Sequence, residues 1–349
     1  MMCTHGLREY GMDMAISKRR GGRIMRTIHG LRGHQGGMVI AVFLLIFSVF
    51  PTFIMAQEQY PTRPINVVSV GNAGGAGDLV TRVLLGKAEK ILNQPFIITN
   101  NNLGGGSVPL AAFAKARPDG YNLVTTPSAP LTWIPHSQAV SYKNDDFIPV
   151  MCHGLITSGI VVKADSQWKT FKDIVEYARK NPGKFIYAIS GAGNPMDIAM
   201  QYVAKIEGVQ WSAMPVPTTD PNMLVLGGHV NALSASPSWK QHVLNGTMRL
   251  LAVHSTKRLS DFPDVLTFRE LGYDFVNETL PMVLVPKGTP EDIVTKLDDV
   301  LKRAMEEKEY RDILKKFDWE FKYLGHEDLK KYIDQTYLQV GNVIKQIRN

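Results

Sequence analysis

The chain has 349 residues, 44% of them hydrophobic, which is enough for two domains with real cores and excludes a disordered polymer. Its formal charge of +7 is concentrated: residues 1–56 hold seven basic and two acidic residues, a net of +5, leaving +2 for the rest. A basic leader on a nearly neutral body argues against nucleic acid as a partner. Cys3 and Cys152 are the two cysteines, and Cys3 falls in the leader, so the remainder is expected to have no internal disulfide.

In chain order, a basic segment precedes an apolar run from Met38 to Met55, and Ala56 then offers a small residue before Gln57. This is the pattern of an export signal over 1–56, cleaved after Ala56. The run has 18 residues with Pro51 inside it, near the lower limit for a membrane span, so a retained N-terminal anchor is the alternative. No cysteine follows the run, which argues against a lipid anchor.

From residue 64 onward short β-rich runs alternate with amphipathic stretches. Strands are expected at 65–70, 96–99 and 121–126, with helices at 78–92 and 107–116 between them. Leu79, Val83, Leu84, Ala88 and Ile91 keep one face of the first helix, and Pro118-Asp119-Gly120 marks a turn before the third strand. The alternation resumes with strands at 159–163, 185–189, 211–215 and 230–234 and helices at 171–179 and 195–206. Such alternation predicts an α/β protein built from βαβ units with mainly parallel sheets. Further on, Thr289 is placed to cap a helix opened by Pro290. A last helix carries Leu329, Ile333, Tyr337, Val340, Ile344 and Ile347 on one face, and both helices are expected to pack on the first sheet. No Ser/Gly linker occurs, so the chain is expected to cross between domains on strands, near Gly159 and near Glu278. That divides it into a discontinuous first domain, 57–158 plus 279–349, and a second, 159–278.

The segment Gly71-Asn72-Ala73-Gly74-Gly75 follows a strand and opens a helix. Glycines leave backbone N–H groups bare, and a helix start adds unpaired donors and about half a positive charge. Together these make an anion site. The alternative is a tight turn with Asp78 as a cap, and Asp78 is structural in either case. Ser190-Gly191-Ala192-Gly193-Asn194, before Pro195, repeats the design. Two such units, more than a hundred residues apart, can face each other across a cleft and grip one carboxylate. Thr126, Ser128 and Ser236 are candidate polar contacts from other loops.

A dinucleotide fingerprint requires an acid at the end of the next strand, and that position reads Thr99-Asn100-Asn101. No cofactor is therefore expected. The histidines at 136, 153, 229, 242, 254 and 326 show no paired metal-ligand spacing, so no metal is expected either. Ser190 lies in no G-x-S-x-G elbow. Cys152 and His153 are neighbours on a strand and point to opposite faces, so Cys152 reads as a buried small hydrophobe. Trp133 reads as a core or lid residue.

These residues, in order, resemble the substrate-binding proteins of tripartite tricarboxylate transporters, the Bug family of periplasmic receptors. The resemblance is carried by Tyr60-Pro-Thr-Arg-Pro64, Asn72-Ala-Gly-Gly75 with Asp78, and Pro118-Asp-Gly-Tyr121. Asn181-Pro-Gly-Lys184 through Ser190-Gly-Ala-Gly193, Phe262-Pro-Asp-Val265 and Pro286-Lys-Gly-Thr-Pro290 complete it. It implies a two-domain type II periplasmic-binding-protein fold, a Venus flytrap with the ligand cleft between the domains. It implies small carboxylates held by the two Gly-rich loops, partly through water, a membrane permease as partner, and no catalysis. The chain departs from the family pattern at the cleft. Gly71-Asn72 stands where the family has Phe-Pro, Asn194-Pro-Met-Asp197 where a Ser/Thr and a His are usual, Val216-Pro217-Thr218 in place of Val-Pro-Tyr-Lys-Gly, and Ala235-Ser236 where an acid is usual.

The expectation is a periplasmic, monomeric solute-binding protein that captures a small organic carboxylate for transport. A secreted α/β enzyme on a small anionic substrate, or an orphan receptor for a signalling sensor, are the alternatives.

Overall fold

The computed structural model describes residues 60–189, 194–216 and 221–348. The export signal expected over 1–56 lies outside the described residues. Two sheets organise the chain. In the first, β1 (Ile65–Ser69) lies between β2 (Phe96–Asn100) and β3 (Asn122–Pro127), parallel to both. Antiparallel pairing then adds β10 (Pro281–Pro286), β4 (Phe147–Cys152) and β11 (Leu324–Gly325), in the order β11-β4-β10-β3-β1-β2. The second sheet has the order β7-β6-β8-β5-β9, from β5 (Gly159–Lys163), β6 (Ile186–Ile189), β7 (Ser212–Pro215), β8 (Ala232–Ala235) and β9 (Met248–Val253). β6 runs parallel to β7 and β8, whereas β5 runs antiparallel to β8 and β9.

The α/β class read from the sequence stands, but the sheets are mixed and not mainly parallel. The physical reason lies in the crossings. β5 and β10 each enter a sheet from the other one, not from a βαβ crossover, so nothing forces them into the parallel direction.

Strand alternation places the cores. Ile65 and Val67 of β1 face one layer, where Val80, Leu84, Leu85 and Ala88 of helix Ala76–Leu92 pack with Leu297 and Leu301 of helix Glu291–Met305. Val68 and Val70 face the opposite layer, with Leu110, Phe113 and Leu329. Burying each of the fully covered Val, Leu, Ile and Phe side chains contributes roughly 1.5–3 kcal/mol. Helix Ala76–Leu92 starts two residues earlier than its apolar spacing shows, because its first turn is Ala-Gly. It ends on Asn93, left-handed at φ 54°, a common helix stop. Before helix Glu291–Met305, Pro290 takes the cap position and the Thr289 hydroxyl donates back to Pro286 O instead of capping.

The last helix, His326–Arg348, departs from expectation. Leu329 and Ile333 pack with the first sheet, but Val340, Val343 and Ile344 belong to the core of the second, with Tyr202 and Phe275. At 23 residues it is about 35 Å long, enough to span both cores. Trp133 joins that second core, 5.7 Å from the Phe275 ring, so it is a core residue. Among the described residues no helix is long and apolar enough to cross a membrane.

The chain passes from the first sheet to the second between Cys152 and Gly159 and returns between Val253 and Pro281. The two connections bond to each other: Ile156 and Thr279 exchange backbone hydrogen bonds of 2.9 and 3.0 Å. Beside them a buried polar cluster joins the same segments, with Asn277 Nδ2 donating to Ser158 Oγ at 3.0 Å and Ser158 Oγ 2.9 Å from His254 Nδ1.

Candidate functional site

β1 and β3 are neighbours, yet their chains leave in different directions: β1 leads to β2 at the sheet edge, and β3 lies beside β10. In an open α/β sheet the carboxyl ends of such a pair leave a crevice where ligands bind. Ser69 pairs with Thr125 there, and Val70 N donates to Thr125 O at 2.8 Å.

The first Gly-rich loop spans this end. Asn72, Ala73 and Gly74 are exposed and Gly71 and Gly75 half-buried. Gly74 has φ +76°, which a side chain would strain, and Gly75 N donates to Asn72 O at 3.0 Å. Asp78 holds the loop. Its Oδ2 accepts from Gly74 N and Arg82 Nε, both at 2.9 Å, and its Oδ1 accepts from Asn100 Nδ2 at 2.9 Å. Burial by itself would raise the Asp78 carboxyl, but the bonds from Arg82, Gly74 and Asn100 outweigh it and hold the group below the usual range. The amide of Asn100, where a ribose-binding site needs an acid, is thus a brace for the loop.

Behind the loop lies a cavity of about 170 Å³, lined by Gly77 and Thr81 of the helix start, Thr125 and Thr126 of β3, His153, and Trp319. Among the described residues no lysine or arginine lines it. Thr125 Oγ1 is buried and has no hydrogen-bond partner among the described residues. Thr126 Oγ1 donates to Pro127 O at 3.0 Å. His153 Nδ1 is 2.8 Å from Tyr310 Oη, and burial pushes the imidazole down to about 4, so it is neutral at neutral pH. Cys152, one residue earlier, faces the opposite core, with its thiol pushed up to about 12 by burial.

The other predicted contacts are placed as follows. Ser128 is buried, and its Oγ accepts from Leu280 N at 3.2 Å, which ties the end of β3 to the start of β10. Ser236 is exposed directly after β8, ahead of the turn Pro237–Trp239. β6 and β8 are neighbours in the second sheet as β1 and β3 are in the first, so their carboxyl ends form the equivalent crevice. Of the second loop, Ser190, Gly191, Ala192 and Gly193 lie outside the described residues. Asn194 caps helix Pro195–Glu207, its Oδ1 accepting from Asp197 N at 2.9 Å. Asp197, which would oppose an anion, is buried and accepts from Tyr187 Oη at 2.8 Å and Gln201 Nε2 at 2.7 Å.

Sequence reasoning did not place Gly77, Thr81, Thr125, His153 or Trp319 at this cavity. Thr125 had a signal, since it adjoins Thr126 at a strand end. Trp319 had none, because it reaches the cavity from a segment almost two hundred residues away in the chain.

The profile of the tripartite tricarboxylate transporter family receptor, TctC, matches residues 80–348. The UPF0065 protein in the gbd 5' region of Cupriavidus necator is 34% identical over 316 residues, 90% of this chain and 96% of that one. Protein BugT of Bordetella pertussis is 28% identical over 77% of this chain and 84% of its own. A solved TctC solute binding protein from Polaromonas superposes with a TM-score of 0.73 at 26% identity, covering 82% of this chain and 99% of that one. With the strand order, the Gly-rich loop at a helix start and the cavity behind it, these likenesses establish that the chain belongs to the receptor family of tripartite tricarboxylate transporters.

Proposed function

We propose that this receptor binds a small organic carboxylate in the crevice between its two sheets and delivers it to the membrane permease subunits of a tripartite transporter. The observation that carries the reading is the cavity at the carboxyl ends of β1 and β3. It adjoins the helix start at Gly77 and Thr81, and among the described residues no lysine or arginine lines it. Such a site attracts an anion through N–H groups and hydroxyls and lets it leave again, as a carrier must. Backbone N–H groups of 72–76 and 191–194 hold the carboxylate, with Thr126 and Ser236 as side-chain contacts and Ser128 positioning the β3 end. The domains are 57–158 plus 279–349 and 159–278, and they close on the ligand about the paired crossing segments. The receptor works as a monomer in the periplasm after export by the 1–56 leader, and it catalyses no reaction.

Thermal melts of the protein lacking residues 1–56, against a panel of organic acids, test this. An acid at about 100 times its dissociation constant adds about 2.7 kcal/mol to the folded state. A panel of mono-, di- and tricarboxylates with no melting shift would count against the reading, as would turnover of any of them.

A further inference from the structure

Helix Lys308–Lys316 belongs to the core of the first sheet through Tyr310 and Leu314. It ends in a full left-handed stop: Asp318 N donates to Lys315 O at 3.1 Å and Trp319 N to Leu314 O at 2.9 Å, with Asp318 at φ 57°. Glycine or asparagine suits that position. An aspartate there sets a negative charge against the negative end of the helix, which the helix dipole disfavours. A residue that breaks two local rules at once points to a gain elsewhere.

The gain lies on the other half of the molecule. Asp318 Oδ1 is 3.4 Å from Lys240 Nζ. Lys240 follows Trp239, which packs in the core of the second sheet and donates from Nε1 to Ala235 O of β8. Lys240 also reaches Asp261 Oδ2 at 2.7 Å, and Asp261 adjoins Phe262, which packs against Trp239 in that same core. One ammonium is thus shared by a carboxylate of its own half and a carboxylate of the other. Burial by itself would lower the Lys240 pKa, but the two carboxylates outweigh it and raise the group above its ordinary value. The Lys240 and Asp318 side chains are 21% and 15% exposed, so salt screens this pair less than a surface pair.

Asp318 is fixed to the crossing, and Lys240 rides on the half that turns about it. Two residues after Asp318, Glu320 exchanges backbone hydrogen bonds of 2.9 Å each with Leu155, on the segment that leads from the first sheet to the second. Trp319, between them, lines the cavity.

We propose that Lys240 and Asp318 form an ionic latch that holds the two halves of this receptor in the arrangement that encloses its ligand. Lys240 keeps Asp261 in every arrangement and gains Asp318 when the halves come together. The two carboxylates therefore have opposite effects. Losing Asp318 favours the separated arrangement. Losing Asp261 favours the joined one, because Lys240 is then left to Asp318 and a competing negative charge is gone. All three are positioning residues. The inference rests on the receptor reading above and names what holds its halves together.

The test is double electron–electron resonance on the protein lacking residues 1–56. Spin labels go on Leu103→Cys in the first half and Met223→Cys in the second, both exposed positions. Without ligand, Asp318→Asn should shift the distance distribution toward the separated arrangement. The ratio of the two populations should change about two- to fivefold, the size expected of one partly exposed ion pair. Asp261→Asn should leave the joined population as large as in the native protein, or larger. Saturation with citrate, malate or succinate, whichever raises the melting temperature, should return Asp318→Asn to the native distribution. Empty Asp318→Asn should melt within about 3 °C of the native protein, because relief at the helix end offsets the lost pair. A distribution unmoved by Asp318→Asn, or moved the same way by both substitutions, would overturn the latch and leave the receptor reading standing. A large fall in melting temperature with unmoved distances would make the pair a plain stabiliser, which overturns the latch as well. If none of the acids changes melting or distances, the receptor reading falls, while the two substitutions still decide the latch.

Discussion

Replacing Asp78 by alanine would remove the brace of the first Gly-rich loop. Asp78 is 2% exposed and accepts from Gly74 N, Arg82 Nε and Asn100 Nδ2. The Arg82 side chain is 44% exposed, so its ion pair contributes less than about 1 kcal/mol. The other two bonds are to a buried charge and contribute about 1.5 kcal/mol each. The substitution should therefore cost about 3 kcal/mol. For a chain of this size about 1 kcal/mol moves the melting temperature by roughly 2–4 °C, so a drop of about 8 °C is expected by differential scanning calorimetry at neutral pH. Acid supplies a second reading. The folded pKa of Asp78 is held below its ordinary value, so its contribution is full above about pH 4 and is lost as pH falls through the folded value. The gap between the native protein and Asp78→Ala should accordingly close at strongly acid pH. Arg82→Ala should cost far less than Asp78→Ala. Equal melting of native and Asp78→Ala at neutral pH, or a gap that persists unchanged into strong acid, would refute the reasoning.

Three further outcomes are expected. Burial pushes His153 down to about 4 and His254 down to about 3, so the unfolded chain binds protons first as pH falls below about 6.5. Each histidine then costs about 1.4 kcal/mol per pH unit, and urea unfolding should show roughly 4 kcal/mol less stability at about pH 5 than at pH 7; a flat profile would contradict the neutral, buried state. Cys152 is buried with its thiol pushed up to about 12, so iodoacetamide should label it only after denaturation; labelling of the native protein would show the site opens. Lys240, after β8, reaches Asp261 at 2.7 Å and Asp318, beside Trp319, at 3.4 Å; the Lys240 and Asp318 side chains are largely covered and that of Asp261 is exposed. Lys240→Ala should cost about 1 kcal/mol by urea unfolding, against almost nothing for Lys172→Ala, whose partner Glu176 and own ammonium are exposed; equal effects would remove any special role for the Asp318 contact.

Much of the fold was legible because helix and strand periods differ. Leu84 and Ala88 repeat at helical spacing, and Val67 and Val68 belong to opposite layers of one strand. The strands β4, β9 and β10 give little periodic signal, since FIPVMC, MRLLAV and PMVLVP are buried on both faces and carry little alternation. Asp78 reads from the sequence as a helix cap; in the structure Gly75 takes the N-cap position and Asp78, in the first turn, accepts from Gly74 N and Asn100 Nδ2. The sequence does not specify how the last helix packs, because one apolar stripe from Leu329 to Ile344 looks the same whether it covers one core or two.

The sequence by itself determined the alternation of elements, the basic leader and the glycines that bare a helix start, because these follow from residues near one another in the chain. Only the tertiary structure decided which polar groups share a void. Thr125, His153 and Trp319 meet because β3, the β4 exit and the return segment after helix Lys308–Lys316 converge at one end of a sheet. His153 Nδ1 lies 2.8 Å from the hydroxyl of Tyr310, more than a hundred and fifty residues away, and no local pattern encodes such a partner.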